Sequence, residues 1–384
     1  GRQSYRLGDL DFEANLKDGH GVDWPIRYKD IAPWYSYAEK FAGISGNRDG
    51  IPSLPDGDYM PAMPMNIVEK DLAERLKGQY GGKRHFIMGR TANITVPHEG
   101  RVNCQYQNQC WLGCNFGAYF STQSSTLPVA VKTGNLTLRP FSIVTRLIYD
   151  KDTKKAKGVE ILDAETNQTY EYYAKVIFVC ASALNSTWVL MNSATDVWEG
   201  GLGSSSGELG HNLMDHHFRC GAGGTIEGYE DKYTYGRRPT GLYVPRFVNV
   251  EGDTKPRDYV RGFGYQGAAS RGRWSGEVAE MSVGGAWKDA ITEPGTWSVG
   301  FTAFGEMLPY HENAIKLDKD KKDKWGLPVL SFNAEIRDNE LKMRGDMQNE
   351  MKEMLERIGV KDTYTYDNVY GLGQGIHEMG TARM

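Results

Sequence analysis

The chain has no long hydrophobic run, no strong charge of either sign and few cysteines. Its longest apolar stretch, Val176 to Leu184, is strand-sized and interrupted by Ser182. A membrane-spanning helix needs about 18 or more consecutive apolar residues, so none is expected here. With 45 basic and 49 acidic residues the net charge is −4, and nothing calls for a nucleic-acid partner. The charged run Lys316 to Lys324 mixes both signs and reads as a solvated loop. The chain opens at Gly1 with no initiator Met and no signal-type apolar region. It stops at Met384, directly after Gly380-Thr-Ala-Arg383. A piece of a longer protein is therefore expected, and 384 residues leave room for two to three domains of about 150 each.

What is abundant is glycine, 46 residues, and aromatics: 22 Tyr, 13 Phe and 9 Trp. That mixture suits sheet-rich domains with tight turns, the aromatics either filling sheet cores or stacking on sugars. Residues 1 to 60 look irregular apart from a short helix from Pro33 to Phe41, with proline at its start. Ile67, Leu72 and Leu76 mark a helix that stops by Gly81-Gly82. Leu136 to Tyr149, Gly158 to Leu162 and Thr169 to Tyr173 read as strands. Val176 to Cys180 reads as a strand buried on both faces, with Cys180 a small buried hydrophobe. It runs through Ala181-Ser-Ala183 into a helix from Asn185 to Asn192. Strand, small-residue turn and helix make half of a nucleotide-binding unit, though the pattern alone favours an ordinary α/β crossover. Further on, Trp297, Val299, Phe301 and Ala303 alternate as a half-buried strand does. Leu341, Met347, Met351, Met354, Leu355 and Ile358 form the core stripe of a helix ending at Gly359.

Three of the five cysteines fall in Cys104-Gln-Tyr-Gln-Asn-Gln-Cys110-Trp-Leu-Gly-Cys114. A disulfide within so short a span would constrain little and leave one thiol over. A structural zinc wants four ligands, and neither His98 nor Cys220 stands at a familiar spacing to complete a set. Three thiolates suit a cluster of three irons, one ligand each. Disulfide, zinc and cluster all stay open on the residues alone. A Gly-x-Gly-x-x-Gly run at Gly262, Gly264 and Gly267 lacks a buried strand before it and an apolar helix after it, so it reads as a chance match.

Several segments, in order, resemble the glucose–methanol–choline (GMC) family of flavoprotein oxidoreductases. Gly1-Arg-Gln-Ser-Tyr-Arg with Val22-Asp-Trp-Pro-Ile-Arg-Tyr28 looks like the region soon after that family's flavin fingerprint. Val179-Cys-Ala-Ser-Ala183 through Ser193-Ala194 resembles its second signature, with Ser182 for Gly, Thr187 for Pro and Ala194 for Gly. Gly210-His-Asn-Leu-Met-Asp-His216 resembles G-x-N-L-x-D-H, and His377-Glu-Met-Gly-Thr-Ala-Arg383 matches H-x-x-G-T-x-R. The resemblance implies an α/β plus α+β architecture. A Rossmann-like FAD-binding domain, incomplete here, would interleave with an antiparallel-sheet substrate domain. It divides the chain into a lid and substrate-domain segment at 1–104, an FAD-domain portion at 105–215, a substrate-binding domain at 216–370 and the start of the catalytic C-terminal segment at 371–384. The flavin phosphate loop would precede Gly1, and a second catalytic His or Asn would follow Met384.

By the same resemblance the chain is expected to be an FAD-dependent dehydrogenase of a sugar, sugar acid or glycoside hydroxyl, C3 of a glucosyl unit included. His377 would be the active-site base, a task that suits imidazole. Val144 would offer backbone to adenine, and Ala181 and Ser182 would lie beside the dinucleotide. Cys104, Cys110 and Cys114 match the spacing of a three-iron, four-sulfur cluster in the catalytic subunit of FAD-dependent glucose dehydrogenases, although Gln105 stands where that family has a further Cys. A small accessory subunit, a cytochrome acceptor and a periplasmic location follow from the resemblance only. The rivals are a GMC oxidase using oxygen, its cysteines structural, and a non-catalytic carbohydrate-binding protein.

Overall fold

The computed structural model describes residues 3–233, 238–272, 284–290, 295–369 and 371–383. Gly1 and Arg2, which begin the first matched segment, and Met384 lie outside them. The chain divides into two compact units, each assembled from separate stretches: Gly1–Asn135, Phe218–Gly305 and Asn339–Val369 in the first, Leu136–His217, Glu306–Asp338 and Tyr370–Met384 in the second. In chain order the strands are β1 (Ile87–Met88), β2 (Ser142–Asp150), β3 (Lys155–Asp163), β4 (Thr169–Tyr173), β5 (Cys220–Ile226), β6 (Leu242–Val244), β7 (Phe263–Arg271), β8 (Trp297–Gly305), β9 (Ala314–Lys322), β10 (Pro328–Asn333) and β11 (Lys361–Asp367).

The first unit is built on an antiparallel sheet ordered β1-β6-β7-β8-β5-β11. On β8 the expected alternation holds: Trp297, Val299, Phe301 and Ala303 are buried. They share a core with Val68, Leu72 and Leu76 of helix Ile67–Gln79 and with Met343, Met347, Met351 and Met354 of helix Asp338–Arg357. Helix Ile67–Gln79 starts where a capping box fixes it: Asn66 Oδ1 accepts from Glu69 N at 2.9 Å, and the Glu69 carboxylate accepts from Asn66 N at 3.0 Å. In the long helix Met343 joins the stripe, whereas Leu341, expected in it, is 51% exposed. The glycine run around Gly264 lies in central strand β7, not in a phosphate loop. A side chain at Gly267 would sit 2.3 Å from the Gly300 carbonyl of the neighbouring strand, so these glycines permit close strand approach.

The second unit holds the β2-β3-β4 meander, the β9–β10 hairpin and helix Ser182–Asn192. Trp188 donates its indole N–H to Pro328 O at 2.7 Å, tying helix to hairpin. The Ser193 hydroxyl accepts Leu147 N at 2.7 Å, tying the helix end to β2.

Four local expectations are corrected. Residues 176–180 form no strand, and Val176 and Phe178 are 67% and 83% exposed. An apolar run becomes a buried strand only where neighbouring strands pair with it, and none does so among the described residues. Cys180 is accordingly exposed rather than buried. The charged run from Lys316 is mostly strand β9, solvated as expected but held in register by β10. Pro33 lies inside helix Tyr28–Ala42 rather than at its start, because Asp30 accepts Arg27 N at 2.8 Å and caps the helix earlier. Every ladder between strands is antiparallel, so the described residues contain no parallel sheet of the dinucleotide-binding kind. No helix among them is long and apolar enough to cross a membrane.

Candidate functional site

Three sequence segments far apart in the chain meet in the second unit. Residues 210–216 run antiparallel to the C-terminal segment: Gly210 N bonds Thr381 O at 2.8 Å, and Met214 and Met379 exchange backbone bonds at 2.9 and 3.0 Å. Thr381, fully buried, bonds the Thr187 hydroxyl at 2.7 Å, which fastens the same segment to helix Ser182–Asn192. Gly380 is required at the crossing, since its φ is +98° and a Cβ there would lie 1.9 Å from Asn212 O.

At the centre of this junction sits Asp215, 3% exposed. Its Oδ2 accepts from Gly373 N at 3.0 Å and Gly375 N at 2.7 Å; its Oδ1 accepts from His377 N at 3.1 Å and from His216 N at 2.7 Å. One buried carboxylate thus gathers four backbone donors, three of them from the loop that presents His377. Charge-assisted bonds of this kind are about twice as strong as neutral ones. The loop needs the hold, because Ile376 takes φ 63°, a left-handed conformation unfavourable for a β-branched residue. The His377 ring projects to solvent, with the His216 ring edge-on at a centroid distance of 4.9 Å.

Of the other expected flavin contacts, Val144 lies on β2, an edge strand 36% exposed at that residue, whose backbone groups on one side have no strand partner among the described residues. Ala181 and Ser182 are exposed at the start of helix Ser182–Asn192, where no side chain caps the first turn. Ser182 itself has φ 63°, the backbone that a glycine adopts without strain.

The first unit brings together the three closely spaced cysteines. Cys104, Cys110 and Cys114 line one pocket with Asn93, Tyr106 and Phe116. Burial pushes the Cys104 thiol up from its ordinary value, Tyr106 N–H opposes this by bonding the sulfur, and Cys110 and Cys114 add to the rise. Among the described residues no three His, Cys, Asp or Glu side chains converge as ligands of one metal ion. Cys220 is elsewhere, buried, with its sulfur 3.4 Å from that of Met347.

The family model for GMC oxidoreductases matches residues 65–218. The chain is 30% identical to 2-methyl-1,2-propanediol dehydrogenase of Mycolicibacterium austroafricanum, an alignment covering 99% of this chain and 68% of that protein. It belongs to the GMC oxidoreductase family. To the fructose dehydrogenase large subunit of Gluconobacter japonicus it is 25% identical over 85% of this chain, and to the gluconate 2-dehydrogenase flavoprotein of Pantoea cypripedii 21% over 88%. The chain spans 58% of each of these last two GMC relatives.

Asp215 and Asn93 were not singled out from sequence. Asp215 was visible only as one letter of a motif, and the donors it gathers lie about the loop before His377, 158 to 162 residues away. Asn93 opens an Asn-x-Thr sequon with Thr95, which says nothing of a place in the cysteine pocket's wall.

Proposed function

We propose that this GMC chain is the larger part of an FAD-dependent dehydrogenase that oxidises a hydroxyl of a sugar, sugar acid or glycoside. Asp215's hold on the His377 loop carries this reading. It fixes the backbone that leads into His377 and the His377 amide itself, so that a ring nitrogen meets a substrate hydroxyl and takes its proton. Gly375 has no side chain because a Cβ would lie 2.4 Å from an Asp215 oxygen. The relatives' names, a branched diol, fructose and gluconate, have in common a hydroxyl on a small polar substrate. C3 of a glucosyl unit is the position to test first.

The residues present suit FAD: an uncapped helix start with a small side chain before it favours a phosphate, and the open edge of β2 at Val144 offers backbone to a flat ring. Bound FAD would supply the acceptor of the hydride that leaves the carbinol carbon. The cysteine pocket suits a three-iron, four-sulfur cluster held by Cys104, Cys110 and Cys114, because thiolates on separate irons need only surround a space, whereas ligands of one zinc must converge. Such a group would carry electrons onward, and a small accessory subunit and a cytochrome are the partners this reading implies.

The test is His377→Ala in the full-length protein, assayed with an artificial electron acceptor and with oxygen. Turnover is expected to fall by about 10²–10⁴-fold with flavin content unchanged. Undiminished turnover removes His377 from the chemistry, and wild-type protein without flavin removes the reading altogether.

A further inference from the structure

The pocket that holds the three cysteines has a wall residue whose hydrogen bonding is incomplete. Asn93 is fully buried and its Oδ1 accepts from the Thr91 hydroxyl at 2.8 Å, but its Nδ2 meets no acceptor among the described residues. Leaving a buried amide N–H unpaired costs about 1–3 kcal/mol, and such groups persist where something else fills the need. The backbone puts Asn93 in place rigidly. Asn93 bridges Tyr119, Phe120 N bonds Ala92 O at 2.9 Å, Ile94 N bonds Ala118 O at 3.0 Å, and Cys104 N bonds Ile94 O at 3.0 Å. The amide is thus held one residue from the segment that carries the first cysteine, and it lines the same space as all three sulfurs.

We propose that Asn93 Nδ2 donates a hydrogen bond to a sulfur of the cluster bound by Cys104, Cys110 and Cys114, and so raises that cluster's reduction potential. The inference rests on the cluster reading above. A reduced cluster carries one more negative charge than an oxidised one, so an N–H aimed at its sulfur stabilises the reduced form more. The Tyr106 N–H, which bonds the Cys104 sulfur, acts in the same sense. Asn93 does not touch substrate; its part is to set how readily electrons leave the flavin side.

The experiment uses the full-length holoenzyme, purified anaerobically, as wild type, Asn93→Leu and Asn93→Asp. The readouts are iron and acid-labile sulfide per chain and an EPR-monitored redox titration. Wild type is expected to hold about three irons. Both variants should favour the oxidised cluster about tenfold or more, a fall of about 59 mV for one electron, Asn93→Asp further because it adds a negative charge. Asn93→Asp is nearly isosteric, so it decides the matter if Asn93→Leu loses its iron. Iron in all proteins with unshifted potentials overturns the inference and leaves the cluster standing. Wild type without iron overturns the cluster itself, and the inference with it.

Discussion

The Asp215 carboxylate accepts the backbone N–H of His377 at 3.1 Å across 162 residues of chain. Removing it in Asp215→Ala leaves the Gly373, Gly375 and His377 donors without their acceptor and releases the strained Ile376. Each lost partner is expected to cost about 1–3 kcal/mol if its N–H stays buried. In the full-length enzyme kcat should drop by about 10²-fold, as a misplaced base does, while Asp215→Asn retains part of it through one remaining oxygen. Steady-state kinetics and hydrogen exchange over 371–377 check this; unchanged exchange in Asp215→Ala would count against the clamp.

Gly380→Ala should be more harmful than its size suggests. The new Cβ would meet Asn212 O at 1.9 Å on a backbone with φ +98°, so both space and conformation oppose it. A loss of more than about 1 kcal/mol is expected, read as a lower urea midpoint at unchanged m.

Glu350 is a buried carboxylate among cations, with Arg84 and Lys255 each at 2.6 Å and Arg257 at 2.8 Å. Its burial opposes ionisation, but these hydrogen bonds and charges win and take its pKa down to about 2. A depressed folded-state pKa means the stabilisation is present above the unfolded value near 4.5 and is lost as pH falls from there towards 2. Glu350→Gln should cost about 1–3 kcal/mol at neutral pH, because Arg84 loses its carboxylate while Arg257 and Lys255 keep Asp346, and should flatten the acid limb of an unfolding curve.

Cys220 shows the opposite sign. Burial pushes its thiol up to about 12 from 9.0, so the folded state keeps a proton the unfolded chain releases. Its contribution is present below pH 9 and declines as pH rises towards 12. At pH 8 iodoacetamide should label the exposed Cys180 while leaving Cys220 untouched until the protein is unfolded, as peptide mass mapping will show.

How much was legible depended on the range of the cause. Ile67, Leu72 and Leu76 announce a helix because their spacing follows its turn, and the alternation from Trp297 to Ala303 announces a strand because its period is two. His377 stands out in the sequence only through the H-x-x-G-T-x-R letters around it. Pro33 was misread because an acidic cap upstream outweighed it, and the stretch from Val176 to Cys180 because apolarity says what a strand would bury but not whether a partner strand is present.

By itself, then, the sequence determined the local elements, the segments that mark a GMC oxidoreductase and the cysteine spacing. Only the tertiary structure decided that Asp215 holds the His377 loop, that Thr381 meets Thr187, and that Asn93 lines the wall beside Cys104. The physical reason is that caps and periodicities act within a turn or a strand. A buried carboxylate or amide instead takes its partners from whichever distant backbone the packed fold brings to it.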